Sequence, residues 1–377
     1  MLRLSLLRPL LACLSLTLAT AHADIVIGQS VPTTGVAAST GKALALGASL
    51  YFGRVNAGGG VFGEPIDHQV LDDGYDPKRT IANTQELIDK KGALALVSYY
   101  GTTNTLDLIR SKVLDNAGIP LIGVHSGAES VRNPGSPFIF QTRAGYKQEI
   151  ERIVQLLTSN LGVTRVAVVA QKDAYGESGV GELKAALQKR NLTLLGEYWY
   201  DRNDGNTVKA AQEAAKLNPE AVVLVAISKP AATFIKKFKE LGGTSQLYGL
   251  SPIQFEDVIA AVGKKYAHGL GISQVYPYPG NAQVKFIREF QQDTDAVLRS
   301  GEYPTYAVFE GYLSARLAVD AIKRAGKAPT RSGVYKALTD MKHYDLGGFI
   351  ISFDEKNRLG SKYIDLTMVS PTGTLTR

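Results

Sequence analysis

Short apolar runs alternate with helix-period segments along this chain, and they do so in two successive series. Ile25-Val26-Ile27-Gly28 reads as a buried strand, and Leu44, Ala48, Tyr51, Phe52 and Val55 then recur at helical spacing up to the stop at Gly58-Gly59-Gly60. Residues 66–72 give a second strand, and Pro77 suits the first turn of a helix carrying Ile81, Thr84, Leu87 and Ile88. Residues 94–98 and 119–123 give further strands. Apolar strands joined through helices predict a parallel sheet with helices on both faces.

The rhythm restarts after Pro134-Gly135-Ser136-Pro137. A helix carrying Ile150, Ile153, Val154, Leu157 and Leu161 leads to a strand over 166–170. Helices and strands then alternate through 192–198, 221–226 and 247–250. A long helix over 305–325 and strand-like runs at 349–353 and 363–369 close the chain. With 377 residues there is chain enough for two sizeable cores, so two similar α/β units in tandem are expected.

The first 23 residues are best excluded from that fold. Arg3 and Arg8 give a short positive region before an apolar run from Pro9 to Ala19 that is too short to span a bilayer, and Ala21-His22-Ala23 supplies the small-x-small pattern of a signal-peptidase cut. The mature chain is expected to begin at Asp24 in the periplasm. Loss of the leader lowers the net charge from +7 to +5 and removes Cys13, the one cysteine. Disulfides and thiolate metal clusters are thereby excluded. The remaining lysines and arginines are scattered among acids, so nucleic acid is not an expected partner.

Motifs for chemistry are mostly missing. Gly58-Gly59-Gly60-Val61-Phe62-Gly63 matches a dinucleotide fingerprint formally but follows a helix where the fingerprint must follow a strand, so it reads as a helix stop and turn. His68, His125, His268 and His343 are far apart, and no metal site or cofactor is expected. Asp72, Asp73 and Asp76 before Pro77 read as capping and turn residues. The informative segment is Ser98-Tyr99-Tyr100-Gly101-Thr102-Thr103-Asn104-Thr105, directly after an apolar strand. Open parallel sheets bind ligands beyond the carboxyl ends of their strands, and a Thr-rich helix start there suits a carboxylate. Ordinary N-capping explains the same residues. His125-Ser126-Gly127-Ala128-Glu129 repeats the arrangement after the next strand.

Val55-Asn56-Ala57-Gly58-Gly59 with Gly63, Asp72-Asp73 with Asp76-Pro77, and Lys172-Asp173-Ala174-Tyr175-Gly176-Glu177 occur in an order and spacing that resembles the leucine/isoleucine/valine-binding family of ABC-importer substrate-binding proteins. The resemblance runs along the whole mature chain. It implies a type I periplasmic binding protein, with two Rossmann-like lobes joined by three crossovers and closing on a small ligand. Crossovers near Thr142, 275–279 and 347–349 would give an N-terminal lobe of 24–142 plus 276–348 and a C-terminal lobe of 143–275 plus 349–377.

Carried over position by position, the resemblance implies a ligand carboxylate held by Tyr100, Gly101 and Thr102, beside His125, Ser126 and Gly127. Tyr175 would close over the ligand from the second lobe, and Thr40 stands where an aromatic often walls the pocket. Two positions depart from the pattern: Ser228 replaces a further aromatic, and Ser251 replaces the acid that pairs with a ligand ammonium. A buried ammonium without a carboxylate is costly. Either Glu256 or Asp257 supplies the charge, or the ligand is a carboxylic acid without an α-amino group.

The expected function is therefore a monomeric, non-enzymatic receptor that hands a branched-chain or other apolar amino acid to a membrane permease. A ligand-sensing regulatory receptor and a binder of aromatic or aliphatic carboxylic acids are the alternatives. An enzyme on the same scaffold is disfavoured by the missing nucleophile–base pair and phosphate loop.

Overall fold

A computed structural model describes residues 24–295 and 304–377, so the expected leader lies outside the described residues. The first sheet has the order β2-β1-β3-β4-β5 and is parallel throughout. Its strands are β1 (Ile25–Val31), β2 (Ile66–Asp72), β3 (Ala95–Tyr100), β4 (Leu121–His125) and β5 (Ile139–Phe140). Helices α1 (Ala38–Ala57), α2 (Pro77–Asp89), α3 (Thr102–Ser111) and α4 (Val113–Ala117) connect them. The acids before Pro77 act as turn and cap groups: Asp76 accepts from Lys78 N, while Asp72 accepts from the backbone of Thr33, Thr34 and Gly74.

After α5 (Tyr146–Gln155) the second series builds β6 (Val166–Gln171), α6 (Ala174–Gln188), β7 (Gly196–Tyr200), α7 (Val208–Leu217), β8 (Ala221–Val225), α8 (Ser228–Glu240), β9 (Gln246–Gly249), α9 (Phe255–Ala267) and β10 (Leu270–Gln274). β7 begins four residues later than its apolar run suggests, because Leu192 and Leu194 pack on the core from the preceding loop. The sheet is parallel from β7 to β10. The closing strands β13 (Asp365–Val369) and β14 (Leu375–Thr376) join it antiparallel.

Between β10 and β13 the chain returns to the first lobe as α10 (Lys285–Asp295), α11 (Tyr306–Ala325) and α12 (Arg331–Thr339), followed by the small hairpin of β11 (Tyr344–Asp345) and β12 (Ile350–Ile351). α11 is apolar almost all round and lies along α1. Gly47 and Gly311 make that approach possible, since a Cβ on either would strike the other helix's backbone. The third crossing differs from expectation. Ile351 and Phe353 belong to the first lobe's apolar core, with Phe353 edge-on to Phe140, so the chain leaves that lobe after residue 353 and not at 347–349. A short apolar run does not reveal which of two cores receives it.

The crossings are tied to one another. Gln141 N donates to Arg358 O and Gly360 N to Gln141 O, both at 2.8 Å, while Thr142 Oγ1 and Tyr276 OH lie 2.9 Å apart. Among the described residues no helix is long and apolar enough to cross a membrane.

Candidate ligand-binding cleft

The carboxyl ends of β3 and β4 face the second lobe across a cavity lined by Tyr75, Tyr100, Gly101, Thr102, His125, Tyr146, Tyr175, Ile227 and Pro252. α3 opens here with Gly101 as its N-cap at φ +95°, and a Cβ on Gly101 would lie 2.6 Å from the Tyr75 ring. Glycine is therefore required both for the backbone turn and for the ring packed on it. Thr102 Oγ1 lies 2.8 Å from Ser126 Oγ, fixing the first turn of α3 to the loop after β4. Among the described residues no acidic side chain lines the cavity.

Five rings form its walls. Tyr100 stacks on His125 with centroids 5.1 Å apart and 10° between planes, and Tyr75 meets Tyr100 edge-on at 5.2 Å. From the second lobe Tyr146 and Tyr175 approach each other at 5.2 Å. The lobes thus share one apolar cluster that runs from Val31 and Leu44 through these rings to Val168 and Leu250. The space left between the rings is room for about one water. Any ligand of amino-acid size requires the lobes to part or the rings to turn. Roomier hollows lie on the outer face of α8 and α9 and beside the first and third crossings, away from the strand ends.

Tyr100, Gly101, Thr102, His125 and Tyr175 come together as the sequence suggests, though the Tyr175 hydroxyl is turned to Ala226 O of its own lobe at 3.2 Å. Ser126 and Gly127 stand one layer behind, Gly127 with its carbonyl accepting from Tyr146 N. Thr40 and Ser228 do not join them: they line a separate groove at the cleft mouth with Ser39 and Asp257. Ser228 Oγ is engaged by Gln254 N at 3.0 Å.

Ser251 also lies off the cavity wall, and its surroundings change the expectation about charge. Its N and Oγ donate to Glu149 at 2.8 and 2.9 Å, and its Oγ accepts from Arg143. An acid from α5 thus contacts Ser251 one layer behind the rings, where its oxygens are committed to Ser251 and Ser273 and it lines no part of the cavity. Neither Glu256 nor Asp257 lines the cavity; Asp257 accepts from Ser39 across the cleft mouth at 2.6 Å.

Glu149 belongs to a buried chain of charges. Arg143 stands 3.5 Å from both Glu310 oxygens, and His125 Nδ1 is 2.7 Å from Glu310 Oε2. Burial raises the Glu149 pKa, whereas at Glu310 the same burial is outweighed by Arg143 and His125, leaving it below its usual value. Burial lowers the His125 pKa against the pull of Glu310. The spacing of Tyr146, Glu149, Ile150 and Ile153 places Glu149 on the apolar face of α5, a signal that sequence reasoning passed over.

The periplasmic binding protein family matches residues 24–374. Leu/Ile/Val-binding protein homolog 3 of Brucella melitensis is 25% identical over 358 residues, covering 92% of this chain and 91% of the relative. A substrate-binding periplasmic protein from Ralstonia solanacearum, solved by crystallography, is 34% identical, with a TM-score of 0.89 over 93% of this chain and 99% of that one. A branched-chain amino acid ABC transporter structure from Thermus thermophilus with bound valine shares the fold at 20% identity and a TM-score of 0.85, over 94% of this chain and 95% of that one. The family model spans both sheets and the cleft between them, and the chain belongs to the periplasmic binding protein family.

Proposed function

We propose that the protein is a solute receptor that captures a small carboxylate-bearing compound, an apolar amino acid or its near relative, and delivers it to an ABC permease. The observation that carries this reading is the start of α3, where no side chain caps the first backbone N–H groups of the helix after Gly101, beside a cavity shared by both lobes. Tyr100, His125 and Tyr175 line the same cavity, with Ser126 and Gly127 supporting it, while Thr40, Ser228 and Ser251 act outside it. The lobes close about the crossings, and the protein works as a monomer after removal of residues 1–23.

A thermal-shift screen of residues 24–377 against amino acids and small carboxylic acids tests the reading. A true ligand at about 100 times its Kd stabilises the fold by roughly 2.7 kcal/mol. No shift with any member of either class, or a shift with a sugar instead, overturns it. The intact mass of the exported protein checks the cut after Ala23.

A further inference from the structure

Four ionisable side chains, Arg143, Glu149, Glu310 and His125, are buried together behind the ring-lined cavity, and only His125 reaches its wall. Glu149 accepts from Ser251 N, Ser251 Oγ and Ser273 Oγ, the last at 2.6 Å, and faces Arg143. Glu310 is taken by Arg143 and by His125 Nδ1. Both carboxylates are therefore committed to partners inside the protein, and neither faces a ligand. Among the described residues that line the cavity, the Tyr100 hydroxyl and His125 Nε2 are buried without a partner, as is Arg143 Nε in the cluster behind it.

We propose that His125 is an anion seat that takes up one proton from solvent as a ligand carboxylate docks against Nε2, and that the receptor thereby selects small apolar carboxylates without an α-ammonium group. The proposal rests on the receptor reading above and names the ligand class of that site. With Nδ1–H donated to Glu310, a neutral ring offers only a lone pair at Nε2, which repels a carboxylate. The imidazolium offers an N–H there and keeps its bond to Glu310. An arriving carboxylate puts a second negative charge on the opposite side of the ring, and each such neighbour favours the charged form. The only bond formed is N–H.

Around the ring burial and the Arg143 guanidinium oppose the charged form while Glu310 favours it, so a second anion at Nε2 can tip the balance. Glu310 comes from α11, Arg143 from the first crossing, Tyr146 and Glu149 from α5, Tyr100 from β3 and Tyr276 from the second crossing. Burial raises the pKa of all three tyrosines, so none gives up a proton near neutral pH. Arg143 stays charged between its two acids. A zwitterionic amino acid would bring an ammonium to a cavity whose walls, among the described residues, hold no carboxylate.

Calorimetry on residues 24–377 with 4-methylpentanoate and with leucine, in buffers of different ionisation enthalpy, tests the proposal. Uptake of about one proton per 4-methylpentanoate bound is expected, with affinity falling about tenfold per pH unit between pH 7 and 9. Leucine is expected to bind at least about tenfold more weakly, for want of a carboxylate partner. His125→Asn keeps a donor toward Glu310 and lacks Nε2, and it should abolish the uptake and flatten the pH profile. Should that variant not fold, imidazole ¹⁵N signals of the wild-type complex decide the point: both ring nitrogens protonated supports the proposal, a neutral tautomer overturns it. Binding of 4-methylpentanoate without proton uptake, or tighter binding of leucine, overturns it while the receptor reading stands. Failure of both probes to bind removes the receptor reading for this ligand class and the proposal with it.

Discussion

Arg202, on the loop after β7, holds its guanidinium 3.8 Å from the centre of the Tyr75 ring on the opposite lobe. It also donates to Tyr75 O and, at 2.6 Å, to Asn104 Oδ1, while Asp173 of its own lobe anchors it at 3.1 Å. Thr103 and Gln171 add two more bonds across the same gap, to Asp173 and to the Tyr75 hydroxyl. These contacts exist only when the lobes are together, so they set the free energy of closure as well as the shape of the cleft.

Replacing Arg202 by Ala removes a cation–π contact and charge-assisted bonds, together worth on the order of 2 kcal/mol in this half-buried setting. The open population should rise about thirtyfold and ligand affinity fall in proportion to the closed fraction lost. Small-angle scattering of the free variant should give a larger radius of gyration than the wild type. Equal radii with equal affinities would mean that Arg202 is not a latch.

Thr102→Ala should weaken the ligand without unfolding the protein. Its hydroxyl is tied to Ser126 at a helix start that opens on the cavity, and loss of a bond to a charged group costs about 1.5–3 kcal/mol. Titration calorimetry on the folded variant measures this. Unchanged affinity would reduce Thr102 to a structural link between two loops.

Glu149→Ala should damage stability far more than Glu149→Gln. The alanine leaves Arg143 short of a counter-charge and Ser251 N without its acceptor, a loss of about 3–5 kcal/mol for a broken buried pair. The amide retains acceptors for Ser251 and Ser273. Urea unfolding of both variants separates the cases, and similar midpoints would show that the carboxylate is not what holds the first crossing to β10.

Much of this arrangement can be read from the residues, and the exceptions have physical causes. The alternation of apolar runs and helical periods marks both sheets, because each strand is buried on two faces and its composition is dictated locally. The loop 98–105 is legible for the same reason: its place after a buried strand fixes its place at a sheet end. Tyr75 and Arg202 are not legible. Each sits in a polar turn whose local pattern says only that the chain reverses, and their pairing depends on how two lobes face each other. Glu310 is hidden differently, as the one buried acid of a helix whose apolar positions explain its burial. Ser251 gives no local sign of the acid it contacts, because Glu149 stands about a hundred positions earlier in the chain.

The last prediction concerns Glu256, at the start of α9. Its Oε2 is enclosed without a hydrogen-bond partner, although the side chain keeps some surface, and burial pushes its pKa up to about 8, with Asp257 adding to the rise. Between its ordinary value near 4.5 and about 8 the unfolded chain ionises this group while the folded protein holds its proton. Folding then requires proton uptake, so stability falls as pH rises through that window and levels off above it. Glu256→Gln removes the ionisable group while keeping its size. The variant should match the wild type near pH 4.5 and exceed it at pH 8, by on the order of 1 kcal/mol after allowance for the exposed part of the side chain. Melting temperatures of both proteins across that range measure the difference. Parallel curves would show that Glu256 reaches solvent at both ends of the window and titrates as an ordinary surface carboxylate.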